Sequence, residues 1–146
     1  MGAGVSARTY VDAVGAMAAW INSRTDTLCG PGNPLWLGAH MRKLGGGEPK
    51  TYAFIEEQYS SRSQDSGENP DMMAALSAQV YGGTREAATT AAVALAEEIS
   101  TQMEGRGVTV GGAVLMVSDD ITGPSWVPDG DLPRLIVNFT VRMRPA

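Results

Sequence analysis

The stretch that decides the fold is residues 84–105, TREAATTAAVALAEEISTQMEG. Its apolar side chains recur every three or four residues, the spacing that places side chains on one face of an α-helix. Thr84 can cap the first turn, because its hydroxyl can accept from a backbone N–H that lacks a partner inside the helix. Gly105 tolerates the left-handed conformation in which helices often end. The predicted contact face consists of Ala88, Ala91, Ala92, Leu95, Ile99 and Met103.

Alternating runs of apolar and polar residues on both sides of this helix predict strands. Residues 75–81 precede the helix and residues 113–118 follow it, each with apolar side chains at every second position. An earlier strand is predicted at residues 51–60, and residues 135–144 give the most regular alternation in the chain. The central helix is therefore expected to pack against a sheet.

A first helix completes the predicted order of elements. Apolar residues at helical spacing extend from Ser6, a candidate N-cap, to about Asn22. The order is then helix, strand, strand, helix, strand, strand in a single domain over residues 1–146. It predicts an α+β fold, with a sheet of about four strands packed on the central helix and the first helix beside the sheet or at its edge.

Composition and charge exclude several classes of protein. The formal charge is −5, and the few basic residues are scattered, whereas gripping nucleic acid requires clustered Lys and Arg. No apolar run approaches the roughly 20 residues that span a bilayer, so no membrane partner is expected. The lone Cys29 rules out a disulfide framework within the chain and is expected to be a reduced thiol. With His40 as the only histidine, a structural zinc site within one chain is not expected.

The acidic residues do not form a predicted catalytic or metal site. Glu56 and Glu57 are adjacent on a strand and should point to opposite faces, so they cannot converge on one substrate. No nucleophile elbow, phosphate loop or dinucleotide fingerprint is present. No catalytic, cofactor-binding or metal-binding residue is predicted, and no enzyme activity is expected. The acidic residues between the last two predicted strands lack calcium-loop spacing and predict a solvated turn: Asp119, Asp120, Asp129 and Asp131.

Four apolar residues are candidate interface residues. Trp126 and Val127 lie in residues 119–133, a loop rich in proline that predicts a contact arm, and aromatic anchors of this kind dominate interface energies. The alternative is that Trp126 folds back onto its own domain. Trp36 lies between two blocks of glycine and proline and needs a partner. Trp20 sits just off the stripe of the first helix, either at a subunit contact or at the edge of the core.

As a whole, the chain resembles the tail terminator, or tail-completion, proteins of long-tailed bacteriophages. The resemblance spans nearly the whole chain and rests on the order of elements and on local patterns. In the first half of the chain, the features are a first helix at 11–21, a Gly/Pro-rich segment at 30–47, and a strand at 52–58 before a polar loop. In the second half, a strand runs directly into the central helix at 78–88, and a Gly-Pro loop follows the third strand. The final strand is basic and ends Arg142-Met143-Arg144-Pro145.

This resemblance implies a structural virion protein without cofactors. Tail terminators form a hexameric ring that caps the tail tube, ends its polymerisation and joins it to the head-completion proteins of the neck. The implied partners are further copies of the chain, the tail tube protein and a neck protein, with DNA passing through unbound. The implied location is the virion, after assembly in the host cytoplasm. The alternatives are another neck component, such as a connector or stopper, and a small-molecule-binding or enzymatic α+β domain.

Overall fold

The computed structural model describes residues 12–31, 51–62, 72–117 and 121–145, in which it has two helices and seven strands. The helices are α1 (Ala13–Arg24) and α2 (Arg85–Met103). The strands are β1 (Leu28–Pro31), β2 (Tyr52–Arg62), β3 (Met72–Tyr81), β4 (Val108–Val110), β5 (Ala113–Val117), β6 (Thr122–Trp126) and β7 (Arg134–Pro145).

All seven strands belong to one mixed sheet. Its order is β1-β2-β3-β7-β5-β4, with β1 parallel to β2 and the other pairs antiparallel. β3 pairs with β7 from Met72↔Met143 to Tyr81↔Arg134 and so occupies one edge of β7. The opposite edge of β7 is shared, because β6 pairs with its first half and β5 with its second half. β7 is therefore the strand through which three other strands are joined.

The predicted fold class is wrong. The sequence predicted an α+β domain with about four strands packed on one central helix, whereas strands make up 48% of the described residues and form a seven-stranded mixed sheet with two helices. The three additional strands are short, with four residues in β1, three in β4 and five in β6. Alternation cannot be recognised over so few residues, and glycine or proline interrupts two of the three.

The central helix α2 confirms its sequence prediction. Thr84 caps it, with its side-chain oxygen accepting from the Ala87 N–H at 3.1 Å. Gly105 follows the helix with a φ of 68°, in the left-handed region expected there. The contact face was also predicted correctly. Its buried members are Ala88, Ala92, Leu95, Ile99 and Met103, with Ala91 partly buried beside them.

The first helix α1 begins later than predicted. Its N-cap is Asp12, whose carboxylate accepts from the Gly15 N–H at 3.0 Å, and the proposed cap Ser6 lies outside the described residues. α1 packs against β1 and β2, and Arg24 in its last turn forms an ion pair of 2.7 Å with Glu98 of α2. Both helices contribute buried side chains to a single hydrophobic cluster, so they cover the same face of the sheet.

The two faces of the sheet differ in what covers them. The face under the helices carries the core, to which β3 and β7 contribute every second residue: Met72, Ala74, Leu76, Ala78, Val80, Leu135, Val137, Phe139, Val141 and Met143. The opposite side, here called the outer face, is formed by the intervening residues of β2, β3, β5 and β7. One end of it holds a smaller cluster of Tyr52, Phe54 and Tyr81, packed against Leu132. Phe54 and Tyr81 stack with ring centroids 5.8 Å apart.

Cys29 is buried in β1, and we expect its thiol to be unreactive in the folded protein. Burial raises the pKa of Cys29 from 9.0 to about 12, and only the thiolate is a nucleophile. Alkylation by iodoacetamide at mildly alkaline pH should be at least roughly a hundredfold slower in the native protein than in guanidinium chloride. Because the folded state favours the protonated thiol, its contribution to stability should be complete below pH 9 and lost as the pH rises towards 12. Equal alkylation rates in both states, measured by mass spectrometry, would contradict the burial.

Candidate functional site

The structure describes three of the four predicted interface residues. Trp20 is only 5% exposed and belongs to the core under the helices, which favours its interpretation as a core residue. Trp36 lies outside the described residues. Trp126 and Val127 are 38% and 39% exposed, a high exposure for large apolar side chains. Among the predicted interface residues that the structure describes, those at the end of β6 are therefore the ones that present apolar side chains at the surface.

Trp126 is held against the start of α2. In the sheet it pairs with Leu135, so it lies on the helix-covered face at the open edge of β6. The guanidinium carbon of Arg85, the first residue of α2, lies 4.3 Å from the centre of the indole ring. Such a cation–π contact contributes on the order of 0.5–1 kcal/mol at an exposed site. It orients the ring while leaving more than a third of the side chain accessible.

The segment carrying Trp126 and Val127 is a hairpin, whereas the sequence predicted an irregular loop. The Val127 N–H donates to the Arg134 carbonyl at 3.1 Å, and the Arg134 Nε donates back to the Val127 carbonyl at 2.8 Å. At the tip, Asp129 and Leu132 exchange two backbone hydrogen bonds of 3.0 and 2.9 Å. We call residues 122–133 the β6 arm; its hydrogen bonds fix Trp126 relative to the sheet.

Gly123 shows why the β6 arm could not be recognised as a strand from sequence. Its φ of 97° is strained for other residues, and a Cβ there would lie 2.5 Å from the Ile136 carbonyl oxygen. The pairing with β7 is irregular at this point, between Thr122 and Ser125. A Gly-Pro pair ordinarily indicates a turn. Here the glycine instead allows close contact with β7, so the strand continues through a sequence typical of a loop.

A hydrogen-bonded polar network lies on the outer face, directly behind the tip of the β6 arm. The Tyr81 hydroxyl donates to Asp129 at 2.8 Å and accepts from Arg134 Nη1 at 3.3 Å. The same Arg134 nitrogen donates to Gln79 Oε1 at 2.8 Å, and Gln79 Nε2 donates to Glu56 at 2.7 Å. Burial, and then the hydrogen bond to Asp129, raise the pKa of Tyr81 to about 12, while Arg134 partly offsets the rise. The network ties β2, β3, β7 and the arm together.

The sequence did not reveal this network. Ser77, Gln79 and Tyr81 alternate with apolar residues and indicated a half-buried strand, yet all three are buried. The side-chain partners of Gln79 and Tyr81 come from β2, β7 and the β6 arm, far away in sequence, so the pattern within β3 carries no sign of them. One signal in the sequence could have indicated the network: Gln79 and Tyr81 are large and polar, and they occupy consecutive positions on one face of β3.

The acidic residues singled out from the sequence are distributed as follows. Glu56 pairs with Ser77 on the outer face and Glu57 with Leu76 on the helix-covered face, so the two point to opposite faces as predicted. Asp129 and Asp131 are exposed at the tip of the β6 arm. Asp119 and Asp120 lie outside the described residues. Within the described ranges no group of three potential metal-ligating side chains is present.

Two concave regions adjoin these elements. A cleft of about 670 Å³ lies between the end of α1 and the outward side of α2 and is lined by small and hydroxyl side chains such as Ala87, Thr90 and Ala91. A cavity of about 550 Å³ lies beside the polar network, with Phe54, Glu56, Tyr81 and Arg134 in its walls. The second cavity places charged groups next to an aromatic wall, an arrangement suited to binding a charged side chain or a polar ligand.

No helix of the described residues is long and apolar enough to cross a membrane. Comparison with known proteins identifies no family: no family model matches the chain, and no curated protein matches it.

Proposed function

We propose that this chain is a structural protein of a long-tailed bacteriophage, a tail terminator. Copies of it form a hexameric ring on the end of the tail tube, stop the growth of the tube and join it to the head-completion proteins of the neck. The protein acts in the virion after assembly in the host cytoplasm. The resemblance described above suggests this role, and the β6 arm supplies the physical support.

The observation that carries the proposal is the exposed, pre-positioned Trp126. Tryptophan is enriched among the residues that dominate protein–protein binding energy, because it buries a large area and loses few rotatable bonds. The ring of Trp126 is oriented by Arg85, and the hairpin below it is fixed by backbone hydrogen bonds. A side chain that is already ordered loses less entropy on binding. The β6 arm is therefore suited to contacting a neighbouring protein subunit.

The charge of the chain agrees with a ring through which DNA passes. With a net charge of −5, the protein repels phosphate groups on average. Each Lys or Arg contact to DNA would release counterions and add affinity, which would retard passage. A connector or stopper of the neck would share these properties. The cavity beside the polar network favours a second candidate, a protein that binds a small charged molecule.

Replacing Trp126 by alanine tests the proposal. We expect a folded protein that no longer forms rings on tail tubes, as seen by electron microscopy of the particle neck. The cost in unfolding free energy should be about 1–2 kcal/mol, below the 3–5 kcal/mol typical of a fully buried tryptophan. Trp126→Phe should restore part of the assembly, because it keeps an aromatic ring beside Arg85.

Val93→Ala is the matched control, because Val93 is 40% exposed but lies on α2. This variant should assemble like the wild type. Full assembly by Trp126→Ala together with a loss of stability above about 3 kcal/mol would assign Trp126 to its own core and refute the arm as a contact. Absence of the wild-type protein from the particle neck would refute the tail-terminator role itself, and melting that shifts with a small charged ligand would favour the second candidate.

A further inference from the structure

Charge on the outer face is separated into two ends. The end next to the tip of the β6 arm, here called the acidic end, carries Glu56 and Asp129. The other end, here called the basic end, carries Arg142 and Arg144, two positions apart on β7 and hence on the same face. Between them lie half-buried side chains, among them the apolar Ala75, which pairs with Thr140.

The acidic end retains carboxylate oxygens that can accept further hydrogen bonds. Glu56 uses Oε2 to accept from Gln79, and Asp129 uses Oδ2 to accept from Tyr81. The other oxygen of each carboxylate has no hydrogen-bond partner in the part of the chain that the structure describes. On the outer face, the described lining of the adjoining cavity holds the carboxylates of Glu56 and Asp129 and the guanidinium of Arg134, a net charge of −1, while the Glu57 side chain points to the opposite face.

The basic end is its counterpart. Arg142 and Arg144 are exposed, and neither guanidinium has an ion-pair or hydrogen-bond partner within residues 12–31, 51–62, 72–117 and 121–145. They border a smaller cavity of about 270 Å³ whose described lining includes Val114, Met116 and Met143 but no carboxylate. The charge of this lining is therefore +2, opposite in sign to that of the acidic end.

The two ends cannot neutralise each other within one molecule. Glu56 pairs with Ser77, and Ser77 pairs with Asn138 of β7, so Glu56 is level with Asn138. Arg142 and Arg144 are four and six residues further along β7, which corresponds to about 13–20 Å at the rise of a β-strand. That distance exceeds the reach of a direct ion pair.

We infer that the basic end of one copy docks on the acidic end of the next copy, in a head-to-tail contact across the outer face. Ion pairs at an exposed site contribute little affinity, but they set the partner and its direction, and the intervening apolar surface contributes area. A head-to-tail contact generates a ring where the rotation between copies closes. The inference rests on the proposed ring for its biological setting, while the contact itself is testable in solution.

Charge reversal tests the contact with two complementary variants. The basic-end variant combines Arg142→Glu and Arg144→Glu, and the acidic-end variant combines Glu56→Lys and Asp129→Lys. At low ionic strength, where exposed charges are screened least, the wild-type chain should self-associate. Each variant alone should associate roughly a hundredfold or more weakly, because like charges then face each other. An equimolar mixture should recover assemblies of more than two subunits, because every contact in an alternating arrangement again joins opposite charges. Native mass spectrometry distinguishes these states.

Control variants separate the contact from effects on folding. Arg142→Lys with Arg144→Lys keeps the charge and should associate like the wild type. Asp26→Lys with Glu97→Lys makes the same charge change as the acidic-end variant at exposed positions outside the outer face and should leave association unchanged. Where the acidic-end variant does not fold, Glu56→Gln with Asp129→Asn retains hydrogen-bond acceptors and should weaken association roughly tenfold.

Several outcomes would overturn the inference. They are a wild-type chain that stays monomeric at low ionic strength, variants that associate like the wild type, and a mixture that stops at a heterodimer, which indicates a two-fold contact. Binding of duplex DNA that is lost in the basic-end variant while self-association persists would assign the arginines to nucleic acid instead. Charge-dependent association in solution without any ring on tail tubes would refute the proposed function but would still support the contact.

Discussion

Replacing Leu95 by alanine is expected to lower the free energy of unfolding by about 2–5 kcal/mol, the range for truncating a buried leucine. Leu95 is fully buried in the middle of α2, between Ala92 and Ile99 on the same face of the helix. This helix packs against β7, with further contacts to β3, β5 and β6. The neighbours cannot all collapse into the space that the truncation leaves, because the sheet backbone below them is hydrogen-bonded on both sides.

Val93→Ala on the same helix is the control for Leu95→Ala. Val93 is 40% exposed, and alanine has the higher helix propensity, so this change should stay within about 0.5 kcal/mol. Denaturant titration followed by circular dichroism gives both values. A loss below about 0.5 kcal/mol for Leu95→Ala would mean that the helix does not pack by this face.

Replacing Gly82 by alanine should destabilise the protein by about 1–3 kcal/mol or more, the cost of overpacking. Gly82 joins β3 to α2, and its N–H donates to the Pro133 carbonyl at 3.3 Å. A Cβ at this position would lie 2.5 Å from the backbone nitrogen of Ala88 and 2.9 Å from its Cα. Because these atoms belong to the first turn of α2, the helix would have to move away from the sheet to accommodate the methyl group.

Gly112→Ala provides the comparison for this prediction, because a Cβ at Gly112 would meet nothing within 4 Å. This change should be close to neutral, or slightly stabilising through the reduced freedom of the unfolded chain. Equal melting temperatures for Gly82→Ala and the wild type would show that β3 and α2 are not in close contact at this turn.

The elements whose signals are local could be predicted from the sequence. The periodicity and the Thr84 cap of α2 lie within the helix itself, and the alternation of β7 extends over a strand of 12 residues. The number of strands could not be predicted, because β1, β4 and β6 are short and are defined by their partners. Gly123, for example, lies so close to β7 that a Cβ there would be 2.5 Å from the Ile136 carbonyl oxygen.

The interface role of Trp126 and Val127 stays a prediction. The exposure of Trp126 and Val127 agrees with the hypothesis of a contact arm, whereas the cation–π contact to Arg85 joins residues on different elements and leaves no trace in the sequence. The polar network likewise joins residues that lie on different elements. Tyr81 and Gln79 find their partners in Asp129 and Arg134, and only the folded chain brings these residues together.

The central place of β7 has a consequence for the speed of folding. β3 spans Met72–Tyr81 and pairs with β7 at Arg134–Pro145, so a long stretch of chain that includes α2 must be looped out before the first of these hydrogen bonds can form. Closing such loops costs entropy before any contact compensates for it, and folds dominated by such pairings acquire their structure in milliseconds to seconds. Until β7 arrives, β3, β5 and β6 all present unpaired backbone edges that can pair with other chains. Fast synthesis at high concentration therefore exposes this protein to aggregation during the interval in which β7 has not yet joined the sheet.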